Sequence, residues 1–248
     1  MTSWENVSSW YDKIVGKEGH YYHRRVIFPN LFRLMALEEA KKPKLLDLAC
    51  GQGILARCLP PNVKYVGVDI SPTLIRSAKK ENRSHQFIKG DVSEKLPLDQ
   101  NDFTHAAVIL ALQNIENPLR TLKNACKHLK KGGRLFLVMN HPCFRIPRQS
   151  AWDIDRKKQI QSRRIDRYMS PLKIPIRANP AKGEKSATTY SFHHPLSDYF
   201  KWLSDAGFAV ETMEEWCSDK KSTGKAAKME NRARKEFPLF IAIAAIKL

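Results

Sequence analysis

Between residues 44 and 140 the chain sets short, nearly unbroken apolar runs against longer stretches that carry a single apolar stripe. The runs at 44–49, 63–69, 85–92, 102–112 and 134–140 have the length and aliphatic content of buried strands. The segments between them carry helix signals. Ser71 and Pro72 supply a cap and a first-turn proline for a helix over 71–82. Over 117–130, Leu119, Leu122, Cys126 and Leu129 fall on one helical face, and Gly132-Gly133 ends the run. A helical turn or two over 53–59 closes at Pro60-Pro61. Strands alternating with helices imply right-handed crossovers and a mostly parallel sheet.

The rhythm breaks over 141–194, a stretch rich in Pro, Arg and Lys in which one helix is expected near 152–165. So long an interruption within a compact domain reads as a lid or binding insertion. The pattern resumes with a helix at 195–208. Two strands follow, 208–216 and 238–248, separated by a charged loop and expected to pair antiparallel at the sheet edge. The expected organisation is one α/β domain over 44–248 that contains the insertion, preceded by a helical segment over 1–43.

Composition agrees with a single large domain. The chain has 248 residues, 42% of them hydrophobic and 27% charged, as in soluble globular proteins. No apolar stretch reaches the roughly 18 residues of a membrane span. The opening "MTSWENVSSWYDKI" has no basic start and apolar core, so it does not read as a signal peptide. Five scattered cysteines, none spaced C-x-x-C, read as reduced cytoplasmic thiols and not as a disulfide framework or metal site. The net charge of +18 is concentrated. Residues 141–185 hold twelve Lys/Arg against four Asp/Glu, and 218–235 hold seven against two. Such segments suit an anionic substrate or partner, and also suit a plain solvated surface.

The chemistry begins at "LLDLACGQGILA", residues 45–56. A helix entered through a glycine turn presents unpaired N–H groups to an anion, and Gly51, Gly53 and Ala56 satisfy the dinucleotide fingerprint G-x-G-x-x-[GA]. Three carboxylates redirect that reading. Asp47, four residues before Gly51, would repel a pyrophosphate and attract an ammonium. Asp69 ends the second strand, where an acid accepts both hydroxyls of a ribose. Asp91 ends the third, where it can accept from an adenine amine while Val92 packs on the ring. Ammonium, ribose and adenine together describe S-adenosylmethionine.

In "LDLACGQG", "VGVDIS", "KGDV" and "LKKGGRLFLV", in that order and spacing, the chain resembles the class I S-adenosylmethionine-dependent methyltransferases over residues 44–248. Ala49 stands where the family often has a first glycine. The resemblance implies a Rossmann-like, doubly wound, seven-stranded sheet with the last strand antiparallel. It implies cofactor contacts at Asp47, Ala49, Gly51, Gly53, Asp69, Ile70, Asp91 and Val92, with backbone near Leu110, and S-adenosylhomocysteine as product. The segment ahead of the first strand often closes over the cofactor in this family, which nominates Tyr11, Tyr22 and His23.

A sulfonium methyl is already activated, so most of the catalysis is expected from positioning, with a general base where the acceptor must lose a proton. His141 leaves the fifth strand, and His193 and His194 return from the insertion; His141, His194 and His23 are the expected catalytic histidines. Gln113 and Asn114 follow the fourth strand and can hydrogen-bond a substrate. Cys143 also follows the fifth strand, but the second cysteine of a cytosine-5 mechanism is missing. The leading expectation is a small-molecule acceptor under the insertion, with Phe144, Trp152 and Tyr168 as walls and Arg145, Arg148, Arg163 and Arg164 as an anion clamp. The alternatives are an RNA or protein acceptor docked on the basic insertion, and a cofactor-binding interaction domain without turnover.

Overall fold

The computed structural model describes residues 4–16, 19–178 and 186–248, with the side chains of residues 9, 11, 13 and 14 also outside the description. Its centre is a seven-stranded sheet in the order β10-β11-β5-β4-β1-β2-β3. The strands are β1 (Lys44–Leu48), β2 (Lys64–Asp69), β3 (Gln86–Lys89), β4 (Phe103–Ile109), β5 (Leu129–Asn140), β10 (Phe208–Trp216) and β11 (Phe240–Lys247). β1 to β5 run parallel, while β11 lies antiparallel between β5 and β10. This is the expected sheet, with the closing pair antiparallel as read from the sequence. Central strands such as β1, "KLLDL", are covered on both faces, so their apolar runs are nearly continuous.

One face of the sheet is packed by the N-terminal helices and by α3 (Pro72–Glu81), the other by α4 (Pro118–His128) and α5 (Leu196–Asp205). Ile27, Phe28, Leu31 and Met35, on or just before α2 (Phe28–Met35), are buried in the first layer. Leu122, Ala125, Tyr199 and Leu203 are buried in the second. Both forecast helix starts form. Ser71 Oγ accepts from the Leu74 N–H at 3.2 Å, and Asn117 Oδ1 from the Arg120 N–H at 3.3 Å, each ahead of a first-turn proline. The forecast turn over 53–59 is only a 3₁₀ turn at Ala56–Cys58, cut short by the two prolines.

Three stretches differ from expectation. The helix expected near 152–165 is a hairpin of β6 (Ser150–Asp155) and β7 (Ile160–Ile165). Asp155 Oδ1 accepts from the N–H groups of Lys157 and Lys158, a side-chain-stabilised turn that competes with helix propagation. A second hairpin joins β8 (Leu172–Arg177) to β9 (Thr188–His193). The charged loop between the closing strands contains α6 (Ala227–Glu236), a helix whose buried contacts are Met229 and Ala233, too few to stand out among its charges. Ahead of the sheet, α1 (Ser8–Val15) precedes a π-helical turn at His23–Ile27 that leads into α2.

Candidate functional site

A cavity of about 600 Å³ lies at the carboxyl ends of the parallel strands, the edge where open α/β sheets bind ligands. Its floor is the loop after β1. There Ala49, Gly51 and Gly53 have φ of 62°, 56° and 74°, and Leu110, after β4, has 53°. Ala49 and Leu110 are held in the left-handed region without being glycine, and both line the cavity. Strained backbone of this kind persists where the surrounding structure fixes it, and it clusters at ligand sites.

Most of the expected cofactor residues meet here. Ala49, Gly51, Asp69, Ile70, Asp91, Val92 and Leu110 all line the cavity. Asp69 is buried, and its Oδ2 accepts from the Gly51 N–H and its Oδ1 from the Ser71 N–H, each at 2.9 Å. Burial pushes its pKa up against those two donors. One lone pair on each oxygen is left over, the number a ribose diol requires. Asp91 Oδ1 accepts from the N–H and hydroxyl of Ser93, which holds the carboxylate at the cavity wall.

The remaining expected residues are placed elsewhere. Asp47 is buried beneath the floor and does not line the cavity. Its Oδ2 accepts from the Tyr65 hydroxyl at 2.7 Å, and burial raises its pKa to about 7. Gly53 does not line the cavity either. A Cβ there would sit 2.9 Å from the Phe87 ring, so packing and a positive φ demand glycine at this position. Tyr22 meets the Ser218 hydroxyl at 2.9 Å and packs edge-on against Phe240. The Tyr11 side chain lies outside the described residues.

No histidine lines the cavity among the described residues. His23 is buried against Phe28, where desolvation lowers its pKa to about 4, and its Nδ1 accepts from the His20 N–H. His141 Nδ1 accepts from the Cys143 N–H, so Nε2 carries the proton and donates to Glu215 at 2.6 Å. Both ring nitrogens are engaged. His193 donates from Nε2 to the Tyr168 carbonyl, and His194 lies edge-on to Trp202 with ring centroids 4.7 Å apart.

The insertion divides into two parts. Phe144 and Trp152 pack on Phe237, and Arg163 donates to the Phe144 carbonyl and to Ser150. Arg145 donates to Asn140, and Arg164 pairs with Asp166. Neither these groups, nor Arg148 or Tyr168, reach the cavity. The Cys143 thiol faces the Tyr168 hydroxyl, and burial raises its pKa, the reverse of what a nucleophile needs.

The second hairpin does reach it. Lys173, Tyr190 and Phe192 line the cavity, together with Trp4, Asn114, Glu116 and Arg120. β9 packs on the turn at Leu112–Asn114 and on the N-terminal turn at Glu5–Val7, and so covers the site from above. Glu5 accepts from the hydroxyls of Ser71 and Thr73 and ties that N-terminal turn to α3. The sequence reading missed Trp4 and the hairpin. The alternation of 188–193 was the available signal. Of the four carboxylates on the wall, Glu94 pairs with Arg120 and Glu116 with Lys173, while Asp69 and Asp91 have no cationic partner among the described residues. The wall therefore favours a cationic ligand.

Comparison with known proteins agrees with this fold. Residues 46–137 match a methyltransferase-domain family. A demethylmenaquinone methyltransferase of Chlorobaculum tepidum is 30% identical over 118 residues, 44% of this chain and 48% of that one. The one from Staphylococcus carnosus is 29% identical over 139 residues, 52% and 55%. The chain thus spans about half the length of the curated relatives it matches. A crystal structure of an S-adenosylmethionine-dependent methyltransferase from Mesorhizobium loti superposes with a TM-score of 0.69 at 24% identity, covering 94% of this chain and 100% of that one. Sheet order and matched domain together define a class I methyltransferase fold. Residues 46–137 thus carry a methyltransferase domain in that fold, which the S-adenosylmethionine-dependent methyltransferases of Mesorhizobium loti and Listeria monocytogenes share. No described helix is long and apolar enough to cross a membrane.

Proposed function

We propose that the protein transfers a methyl group from S-adenosylmethionine to a small-molecule acceptor. The observation that carries this reading is that Gly51, Asp69, Asp91 and Val92 line one cavity; in this reading they serve the methionine end, the ribose and the adenine in turn. Asp69 would accept from the ribose hydroxyls with its spare lone pairs, and Asp91 from the adenine amine. Ile70 and Val92 would pack on the ring. Asp47 would act from below the floor, giving up the proton that burial favours as the cofactor's ammonium approaches. Residues 1–43 would serve as the cap, with Trp4 on the cavity wall.

The bound cofactor supplies a methyl carbon on a positively charged sulfur, with the leaving electron pair returning to that sulfur. The residues of the chain hold the two reactants in line and exclude water, which is worth up to about 7–11 kcal/mol in favourable cases. His23 and His141, with lowered pKa values and engaged nitrogens, are not used as bases in this account. An acceptor that arrives already anionic needs none. The cavity, about 600 Å³ in volume, and the small-molecule activity for which the curated relatives are named support a small acceptor over a macromolecule. The free cysteines fit a reducing, cytoplasmic setting.

Calorimetric titration tests this reading. S-adenosylhomocysteine should bind the native protein, and Asp69→Ala should weaken binding tenfold or more, about 2 kcal/mol, because a charged hydrogen-bonding group is lost. A folded Asp69→Ala variant with unchanged affinity would contradict the assignment.

A further inference from the structure

The β8–β9 hairpin is built the wrong way round for an ordinary half-buried ribbon. In β9 the residues turned inward are Thr189, Ser191 and His193, all under 9% exposed, while Tyr190 stands 37% exposed and Phe192 is half-buried. A strand covering a core normally hides its rings and shows its hydroxyls. Here Ser191 donates inward to the Gln113 carbonyl of the domain beneath, and His193 donates to the Tyr168 carbonyl within the insertion, so two of the buried polar groups are satisfied. The rings are turned to the cavity instead.

Cross-strand register completes the face. Lys173 lies opposite Phe192, and Pro175 opposite Tyr190, so all four residues share one side of the ribbon. The Lys173 ammonium stands 5.0 Å from the Tyr190 ring centre and 5.5 Å from that of Phe192. Its carboxylate partner, Glu116, is 2.9 Å away, with the Lys and Glu side chains 50% and 71% exposed. An ion pair this open to water exchanges readily for another anion.

We propose that this face is the acceptor platform, and that the acceptor is a flat aromatic compound bearing an anionic oxygen, a phenolate, enolate or ring carboxylate. The inference rests on the methyl-transfer reading above. The ring lies against Tyr190 and Phe192, and the oxygen takes the place of Glu116 on Lys173. Offset or edge-on packing of rings rewards a planar aromatic over its saturated counterpart, and the ammonium rewards charge over neutrality. Lys173, Tyr190 and Phe192 therefore set specificity in this scheme.

The test uses 1-hydroxy-2-naphthoate as probe, with 1-naphthol as its uncharged relative and decahydro-2-naphthoate as its saturated one. Each is titrated into the protein saturated with S-adenosylhomocysteine. The naphthoate should bind at least tenfold more tightly than the saturated acid and several-fold more tightly than 1-naphthol. Tyr190→Ala should weaken it about fivefold to tenfold, and Lys173→Gln should abolish the advantage over 1-naphthol. Tyr190→Phe should retain most of the affinity, which separates ring contact from a folding defect. If the homocysteine product binds but the naphthoate and its saturated analogue bind alike, or if both variants bind like wild type, the platform is overturned. Tight, salt-sensitive binding of a single-stranded oligonucleotide that is lost in Tyr190→Ala would overturn it in favour of nucleobases. If the homocysteine product itself fails to bind, the failure lies with the methyl-transfer reading.

Discussion

Ala49 and Leu110 hold left-handed backbone at the ends of the two central strands, and both face the cavity. Such a conformation costs a side chain on the order of 1–2 kcal/mol. Ala49→Gly should therefore be tolerated, with stability unchanged or raised by up to about 1 kcal/mol once glycine's greater unfolded-state freedom is subtracted. Ala49→Val places a β-branched residue there, and it should lose more than about 1 kcal/mol in denaturant titration. Asp47 makes a second, opposite statement about pH. Its pKa of about 7 in the fold lies above the ordinary value of 3.8. Between those limits the folded state holds a proton that the unfolded chain has released, so this group's contribution falls as pH rises from 4 to 7. His23, lowered to about 4 from 6.5, contributes in the other direction over nearly the same range. Asp47→Asn should thus gain stability relative to wild type between pH 4 and 7, by more than about 1 kcal/mol. His23→Gln removes only the rising contribution, so its stability relative to wild type should fall as pH rises from 4 to 7. Urea titrations at pH 4, 5, 6 and 7 read both. The place of Asp69, Asp91 and Val92 on the cavity wall was legible because residues just past the ends of parallel strands fall at the binding edge of the sheet. The enclosure of His141, His193 and His194 was not, because it depends on what packs above them.

At the level of elements, the strands and capped helices were legible because each is dictated locally, by apolar runs or by a cap with a following proline. The two hairpins and α6 were not. β6 and β7 take their form from a side-chain turn at Asp155 and from mutual pairing, and α6 has just Met229 and Ala233 to mark its inner face. The Ser71 cap also joins two elements, since Ser71 both accepts from Leu74 and donates to Glu5. Ser71→Ala should cost about 1 kcal/mol through the lost cap. It should weaken cofactor binding as well, because the N-terminal turn carrying Trp4 loses part of its attachment to α3. Unaltered affinity for S-adenosylhomocysteine in that variant would show that the turn closes the site without Ser71.

Across the whole molecule, a strongly basic chain surrounds a cavity on whose wall four carboxylates outnumber the two cations Arg120 and Lys173. Most of the excess of Lys and Arg falls in residues 141–185 and 218–235, while Asp69, Asp91, Glu94 and Glu116 line the site. The global charge therefore does not describe the ligand. The local field does, and it suits a cation such as the sulfonium nucleoside. The seven-stranded order puts the glycine loop and two acid-tipped strands side by side, and two pieces of chain remote in sequence, the turn at Glu5–Val7 and β9, close over them. The most direct test is a crystal structure of the protein with S-adenosylhomocysteine. The ribose hydroxyls should lie within hydrogen-bonding distance of the Asp69 carboxylate, with the adenine on Val92 beside Asp91. A nucleoside bound outside this cavity, or a nicotinamide dinucleotide seated in its place, would contradict the account.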